Sequence, residues 1–406
     1  MQNKMKVALI TPFCYNKLYL NEINEHPENP DYFDEVILAN HPDPVHKWCK
    51  MLHINNIDIE FWYLSSLQKE LKIFTHKYGH KLRRIPGFEI KRYIPVPKRF
   101  NCDMSFRMLR ELKKQKITHV LYLRYLLNMW LLVDFSDIII SFCKHNNIKI
   151  FPIYGGSSIN RYKYKIKRKF KNYFLQKVDG LFCQSKSEIN IMLNEYKFPS
   201  KKIHYFKNPL DLGNFYPIPK SDCFDYLNLN KNKRYILYVG RFEKSKGIHH
   251  LINIFPEIKS KYSNIALLII GWGKYENELR KIANNLMLNN DIKIINFVKN
   301  DKLKYYCNIA DVLVLPSYSE GTPNVLQEAI ACNTICIGTN VGGIPDLLDD
   351  GVGLLIPPKD EKALYSTIHG VLKNGFEINQ SKRKELLDEI SLNNQSKRLK
   401  HILTTR

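Results

Sequence analysis

At 406 residues, with 44% hydrophobic and 12% aromatic side chains, the chain is too long for one ordinary core and suits two domains of about 150–200 residues each. Nine cysteines, an odd number spread from Cys14 to Cys336 with no C-x-x-C pair, speak against a disulfide framework and a structural zinc site. A formal net charge of +23 exceeds what solubility asks for and leaves nucleic acid, an anionic membrane and anionic substrates as candidate partners.

Along the first half, strand-length apolar runs recur at KVALITP, DEVILAN, IDIEFWYL, THVLYLR, IKIFPIY, GLFCQS and KIHYFKN, with helix-length segments between several of them. Such alternation reads as βα units on a mostly parallel sheet. The opening MQNKMKVALITP runs directly into a strand, and the apolar stretch from Leu121 to Phe142 is interrupted by Arg124, Asp134 and Asp137. Neither a signal peptide nor a membrane span is read, so a cytoplasmic setting is expected. Residues 161–177, RYKYKIKRKFKNYFLQK, hold eight basic and no acidic side chains with Tyr and Phe interleaved. This composition fits a peripheral contact with an anionic membrane face, and equally a solvated helix face in a generally basic chain.

Periodic hydrophobicity stops at NPLDLGNFYPIPKSD, residues 208–222, where four positions are Pro or Gly. That is the expected hinge. The second half resumes with RYILYVG, ALLIIGWG, IKIINFV, DVLVLPS, TICIGTN and VGLLIPP, so two doubly wound α/β domains in tandem are predicted: residues 1–210, then 211–383, with 384–406 as a terminal helix that packs back on the first.

In an open α/β sheet the ligand sits beyond the carboxyl ends of the strands, and three such turns in the second half are rich in useful groups. After YILYV come Gly240, Arg241 and, five residues on, Lys246. Glycine admits a close ligand and the two cations would clamp a diphosphate, although basic turns are common. After DVLVLPS comes SEGTPNVLQEA, where Glu320 and Glu328 have seven residues between them. Thr322 is a suitable N-cap and Pro323 a suitable first helical residue, so the amides of Asn324 and Val325, beyond Gly321, would face a phosphate at the helix's positive end. A capped surface helix with two solvated glutamates is the plain alternative. After TICIGTN, Gly342 and Gly343 permit a tight loop with exposed N–H groups. The run IIGWGKYENEL, with Gly271 and Gly273, lacks the third glycine of a dinucleotide fingerprint and is assigned to loop geometry. No cluster has metal-ligand spacing, and no metal is expected.

Taken together and in order, these turns resemble the family 4 retaining glycosyltransferases (glycosyl transferases group 1). The resemblance runs from about Arg234 to Asp360 through VGRFEKSKG, the E-x7-E pair, Ala329 and Ala331, VGGIPDLL and GVGLLIPPKD; Asp346 stands where glutamate is usual. In the first half it rests more loosely on KVALITP, KVDGLFCQS and KNPLDLGNFYP. It implies the GT-B fold, two Rossmann-like doubly wound α/β domains facing across a cleft, and sugar transfer with retention from a nucleoside-diphosphate sugar, UDP-sugar being the expected form. Arg241 and Lys246 would grip the diphosphate, Glu328 the ribose and Glu320 the transferred sugar, with the base beside Phe297 and Val298. The acceptor would be a lipid-linked or surface-polysaccharide precursor. Where relatives carry a glycine-rich loop after the first strand, this chain has FCYNKLYLNEINEHP. Where they carry a histidine, it offers Tyr154, Gly155 and Gly156. Another nucleotide-sugar enzyme of the same architecture, an epimerase or phosphorylase, is the nearest alternative; a basic nucleic-acid-binding protein is the more distant one, and no nucleic acid is expected.

Overall fold

The computed structural model describes residues 5–11, 44–65, 70–89, 103–125, 135–154, 165–288, 290–296 and 298–405. The chain divides into two compact units, Met1–Pro209 with Asn393–Arg406, and Leu210–Leu392. The strand expected at DEVILAN, Phe297, Gly155, Gly156 and the loop FCYNKLYLNEINEHP lie outside the described residues.

The first unit is built on eight strands. These are β1 (Lys6–Thr11), β2 (Asp58–Ser65), β3 (Lys72–Thr75), β4 (Lys81–Pro86), β7 (His119–Tyr125), β8 (Lys149–Tyr154), β9 (Leu181–Cys183) and β10 (Ile203–Tyr205), and two short strands, β5 (Phe88–Glu89) and β6 (Asp103–Met104), pair apart. The order across the sheet is β10-β9-β8-β7-β1-β2-β4-β3, parallel throughout except where β3 runs against β4. Near-continuous apolar runs are what a sheet covered on both faces requires. Ala8, Ile10, Trp62, Val120, Ile150 and Leu181 form its core.

Two buried cations of this unit are paired with carboxylates. Arg83 Nε donates to Glu60 Oε2 at 2.7 Å, Arg83 Nη1 lies 3.6 Å from Glu111, and Trp62 Nε1 donates to Glu60 at 2.9 Å. Burial pushes the Glu60 carboxyl up, but the hydrogen bond and charge of Arg83, with Trp62 and Lys6, outweigh it and hold Glu60 below the usual carboxylate range. Lys171, one of the eight basic residues of 161–177, turns inward and pairs with the fully buried Asp137, so this segment is not uniformly a solvated face. The helix Lys186–Asn194 starts at Ser185, whose hydroxyl accepts from Glu188 N–H at 3.2 Å while Glu188 Oε2 accepts from Gln184 N–H at 2.7 Å. The Ser185 hydroxyl caps the helix, and the Glu188 carboxylate reaches one residue past the usual capping box to the N–H before the cap. Ser185→Ala is expected to cost about 1 kcal/mol, read from the urea midpoint.

The expected single terminal segment is two helices, Gln380–Ile390 and Leu392–Thr404. They part at Ser391, where the chain takes an extended ψ of 142° and Leu392 N–H donates to Leu210 O at 3.1 Å. The final residues belong to the first unit: Leu399 and Leu403 are buried, Ser396 Oγ donates to Met51 O at 2.5 Å, and His119 Nε2 meets Leu403 O at 3.1 Å.

The second unit holds β11 (Arg234–Val239), β12 (Ile265–Ile270), β13 (Ile292–Ile295), β14 (Val312–Leu315), β15 (Cys336–Thr339) and β16 (Leu354–Ile356). All pair in parallel, in the order β13-β12-β11-β14-β15-β16. The chain starts at the centre, builds outward to β13, then returns to β14 on the other side of β11. That reversal between β11 and β14 is a topological switch point, and ligands of such sheets bind beyond the carboxyl ends of the strands that flank it.

Candidate functional site in the second unit

Three turns meet at that carboxyl edge, and backbone contacts fix them to one another. After β11, Gly240 N–H donates to Ile270 O at 3.0 Å and Phe242 N–H to Trp272 O at 2.7 Å. Gly271, at φ +154°, and Gly273, at φ +152°, make this closeness possible: a Cβ on Gly271 would lie 1.8 Å from Gly240 O, and one on Gly273 2.4 Å from Phe242 O. These glycines therefore seat the Arg241 turn. Tyr238, fully buried below it, donates its hydroxyl to Arg241 O at 3.2 Å. Burial pushes the Tyr238 phenol up, and the neighbouring Glu320 charge adds to the shift.

The same turn then makes a short 3₁₀ segment, Lys244–Lys246, and enters the helix Ile248–Lys261 through Gly247 at φ +65°. Gly247 touches the turn after β14, since a Cβ there would fall 2.1 Å from Pro316 O. Tyr318 N–H donates to Ser245 O at 2.8 Å across the same join. The consequence is that Lys246 and Glu320, 74 positions apart, meet: Lys246 Nζ donates to Glu320 Oε1 at 2.7 Å. Ser317, fully buried, donates to the same oxygen at 2.7 Å, and Ser317's carbonyl accepts from Thr339 Oγ1 at 2.5 Å.

The turn after β15 closes the third side. Gly343 N–H donates to Gly321 O at 2.7 Å, and Gly342, at φ +58°, lies so close that a Cβ on it would sit 1.8 Å from Glu320 O. Glu320 is thus held at its carboxylate by Lys246 and Ser317 and crowded at its carbonyl by Gly342.

The helix of this site is Asn324–Ala331, one residue later than the sequence suggests. Pro323, with ψ of 117°, is its N-cap, and Thr322 lies buried outside it; the extended ψ of Pro323 is incompatible with a helical first position. Leu326 N–H is the donor that returns to Pro323 O, at 3.2 Å, which leaves Asn324 and Val325 in the first turn where amides point out of the helix. Glu328 is in the same helix and buried, and its charge reaches Cys307 on the helix Asn300–Ile309.

Lys246, Glu320, Gly321 and the Gly342–Gly343 turn are brought together. Arg241 is carried at the same edge, but its side chain is 59% exposed and its Nη1 pairs with Glu243 at 2.7 Å. Val298 follows β13, two strands from β11 at the same edge. In the first unit, Tyr154 ends β8 with no exposure and packs in the core cluster, so its ring is a core side chain rather than a wall facing an acceptor. The position closes β8 opposite Tyr125, the last residue of β7, beyond a register shift in that pair. Sequence reasoning did not find Thr339, Tyr318, His249, His250 or Glu361, all of which bear on these turns; the adjacent histidines directly after Gly247 and Ile248 were the available signal.

Among the described residues no group of three or more His, Cys, Asp or Glu could hold a metal ion, the seven described cysteines are buried and unbridged, and no helix is long and apolar enough to cross a membrane.

The sequence profile of glycosyl transferases group 1 matches residues 220–388. The capsular polysaccharide biosynthesis glycosyltransferase CapM of Staphylococcus aureus is 36% identical over 152 residues, 37% of this chain and 39% of its own length. An uncharacterized glycosyltransferase of Methanocaldococcus jannaschii is 30% identical over 175 residues, 42% of this chain and 45% of its own, so the match spans less than half of either relative. The solved structure of Anabaena HepE in complex with UDP superposes with a TM-score of 0.73 at 11% identity, over 98% of this chain and 100% of that one. The chain has a GT-B fold of two Rossmann-like domains, and its residues 220–388 match the glycosyl transferases group 1 family.

Proposed function

We propose that the protein transfers a sugar, with retention and without a metal, from a nucleoside-diphosphate sugar to an acceptor hydroxyl. The observation that carries this reading is the join of Lys246, Glu320 and Ser317 at the β11/β14 switch point, beside the first turn of the helix Asn324–Ala331. A departing diphosphate needs positive charge where its own charge grows, and positioned cations and helix amides supply it. In this reading Lys246 and Arg241 meet the phosphates, Arg241 by exchanging Glu243 for the ligand. Glu320 holds the hydroxyls of the transferred sugar and Glu328 the ribose, with Gly240 and the segment Gly321–Val325 close to the phosphates and Val298 near the base. The leaving diphosphate oxygen takes the acceptor proton on the face it vacates. HepE was solved with UDP, which favours a uridine donor here, and CapM's role in capsular polysaccharide favours a surface-glycan or lipid-linked acceptor. The basic segment 161–177, with Tyr173 exposed and Lys177 Nζ 3.8 Å from its ring centroid, suits an anionic membrane surface.

Thermal-shift measurements against UDP, GDP, ADP and their sugars test the donor. Glu320→Gln is expected to reduce turnover about tenfold while nucleoside-diphosphate affinity holds; Glu328→Ala is expected to weaken that affinity by a similar factor. The opposite pattern would show the two roles exchanged, and no response to any nucleotide would remove the reading.

A further inference from the structure

One end of the join between the Lys246 and Glu320 turns is built from side chains that the proposed transfer leaves unused. Tyr318 stands next to Ser317 and two residues before Glu320. Its hydroxyl meets Nε2 of His249 at 3.0 Å and Nε2 of His250, both on the helix Ile248–Lys261. His250 Nδ1 lies 2.5 Å from Glu361 Oε1, to which Asn253 Nδ2 also donates at 3.2 Å. Glu361 opens the helix Glu361–Asn374, so the chain of contacts ties three separate elements together. Lys359 Nζ lies 5.0 Å from the Tyr318 ring centroid, and the ring of Tyr275 meets His249 edge-on at 5.9 Å.

One placement of the protons makes every contact a bond. Tyr318 has one hydroxyl proton and two imidazole nitrogens facing it, and that proton is used when one nitrogen donates and the other accepts. His249 Nδ1 is buried without a hydrogen-bond partner, which puts the His249 proton on Nε2 as a donor to Tyr318. Tyr318 then donates to His250 Nε2, and His250 Nδ1–H donates to Glu361. Burial lowers the His249 pKa, and the charges of His250 and Lys244 push it the same way against Glu361, so His249 stays neutral. Burial raises the Glu361 carboxyl, but the hydrogen bonds from His250 and Asn253 outweigh it and hold it below the usual carboxylate range.

We propose that Tyr318 is a positioning residue. The chain His249–Tyr318–His250–Glu361 is a strut that holds the Glu320 turn against the Lys246 turn. Its effect on sugar transfer rests on the donor-site reading above; the strut itself does not.

Hydrogen exchange of the segment 316–325 in the full chain tests it, with Tyr318→Phe and His250→Ala compared against the native protein at one pH. The Tyr318 amide, bonded to Ser245 O at 2.8 Å, is the reporter. In Tyr318→Phe exchange is expected to rise roughly tenfold over the native rate, the scale of one lost hydrogen bond. His250→Ala, which removes the next contact of the chain, is expected to raise it by a similar factor. Native-like exchange in Tyr318→Phe or in His250→Ala overturns the strut. Calorimetry with UDP-glucose and GDP-mannose separates the two readings. Neither binding to the native protein removes the donor assignment while exchange still decides the strut; undiminished binding in Tyr318→Phe removes its positioning role.

Discussion

Lys246→Ala is expected to slow sugar transfer by about 10²-fold or more, on the scale of removing one oxyanion donor. The ammonium is 13% exposed and already placed, 2.7 Å from Glu320, at the switch point where a diphosphate would sit. Removing it withdraws charge from the leaving group and also leaves Glu320, 12% exposed, with Ser317 but without its cation. Lys246→Met separates these effects from loss of packing, since it keeps most of the stem. Arg241→Ala is expected to lose a comparable factor in turnover but far less in stability. Its side chain is largely in solvent and its partner Glu243 is exposed as well, an arrangement worth little to folding. Steady-state kcat/KM for both variants, with urea midpoints alongside, checks the pair of expectations. Turnover within a few-fold of the native rate in both would sink the assignment of the phosphate grip.

Much of the second unit was legible because its strands are buried on both faces. IALLII of β12 and VLVL of β14 are buried at every position, and a sheet so covered writes itself as uninterrupted apolar runs. The hairpin of β3 and β4 was not legible, for the opposite reason. KLRRIP carries two arginines that read as solvent-facing, yet Arg83 and Arg84 are buried, and the Glu60 that neutralises Arg83 lies 23 positions earlier. Long-range pairing of this kind leaves no periodic trace. Lys171 is the same case inside a basic run, since its partner Asp137 is 34 positions away. At the site, the turns could be read from glycines and charges after strands, but the partners of Tyr318 could not: His250 is 68 positions from Tyr318 and 111 from Glu361. The helix start was misplaced by one residue because threonine before proline looks like a cap followed by a first turn. The backbone instead keeps Pro323 extended.

The site's dependence on backbone closeness leads to the second large effect, at a residue with no side chain to contribute. Gly342→Ala is expected to destabilise the second unit by about 2–4 kcal/mol, the combined scale of a left-handed non-glycine residue and an overpacked contact. Its φ of +58° is already unfavourable for alanine, and the added Cβ would lie 1.8 Å from Glu320 O, a backbone atom that a rotamer change cannot move. Relief requires the Glu320 turn itself to shift. That turn is tied by Gly343 N–H to Gly321 O at 2.7 Å, and by the Glu320 carboxylate to Lys246 and Ser317, so displacement pulls apart the proposed phosphate grip. Donor affinity should therefore fall more than tenfold even at temperatures where the variant remains folded. Gly370→Ala provides the control, because a Cβ there meets nothing within 4 Å and the position is inside the helix Glu361–Asn374, where alanine is favoured. It should match or exceed native stability and bind the donor normally. A Gly342→Ala protein with a native urea midpoint and native affinity for UDP-glucose would mean that the turn after β15 yields freely and that the closeness to Glu320 is not what holds the site.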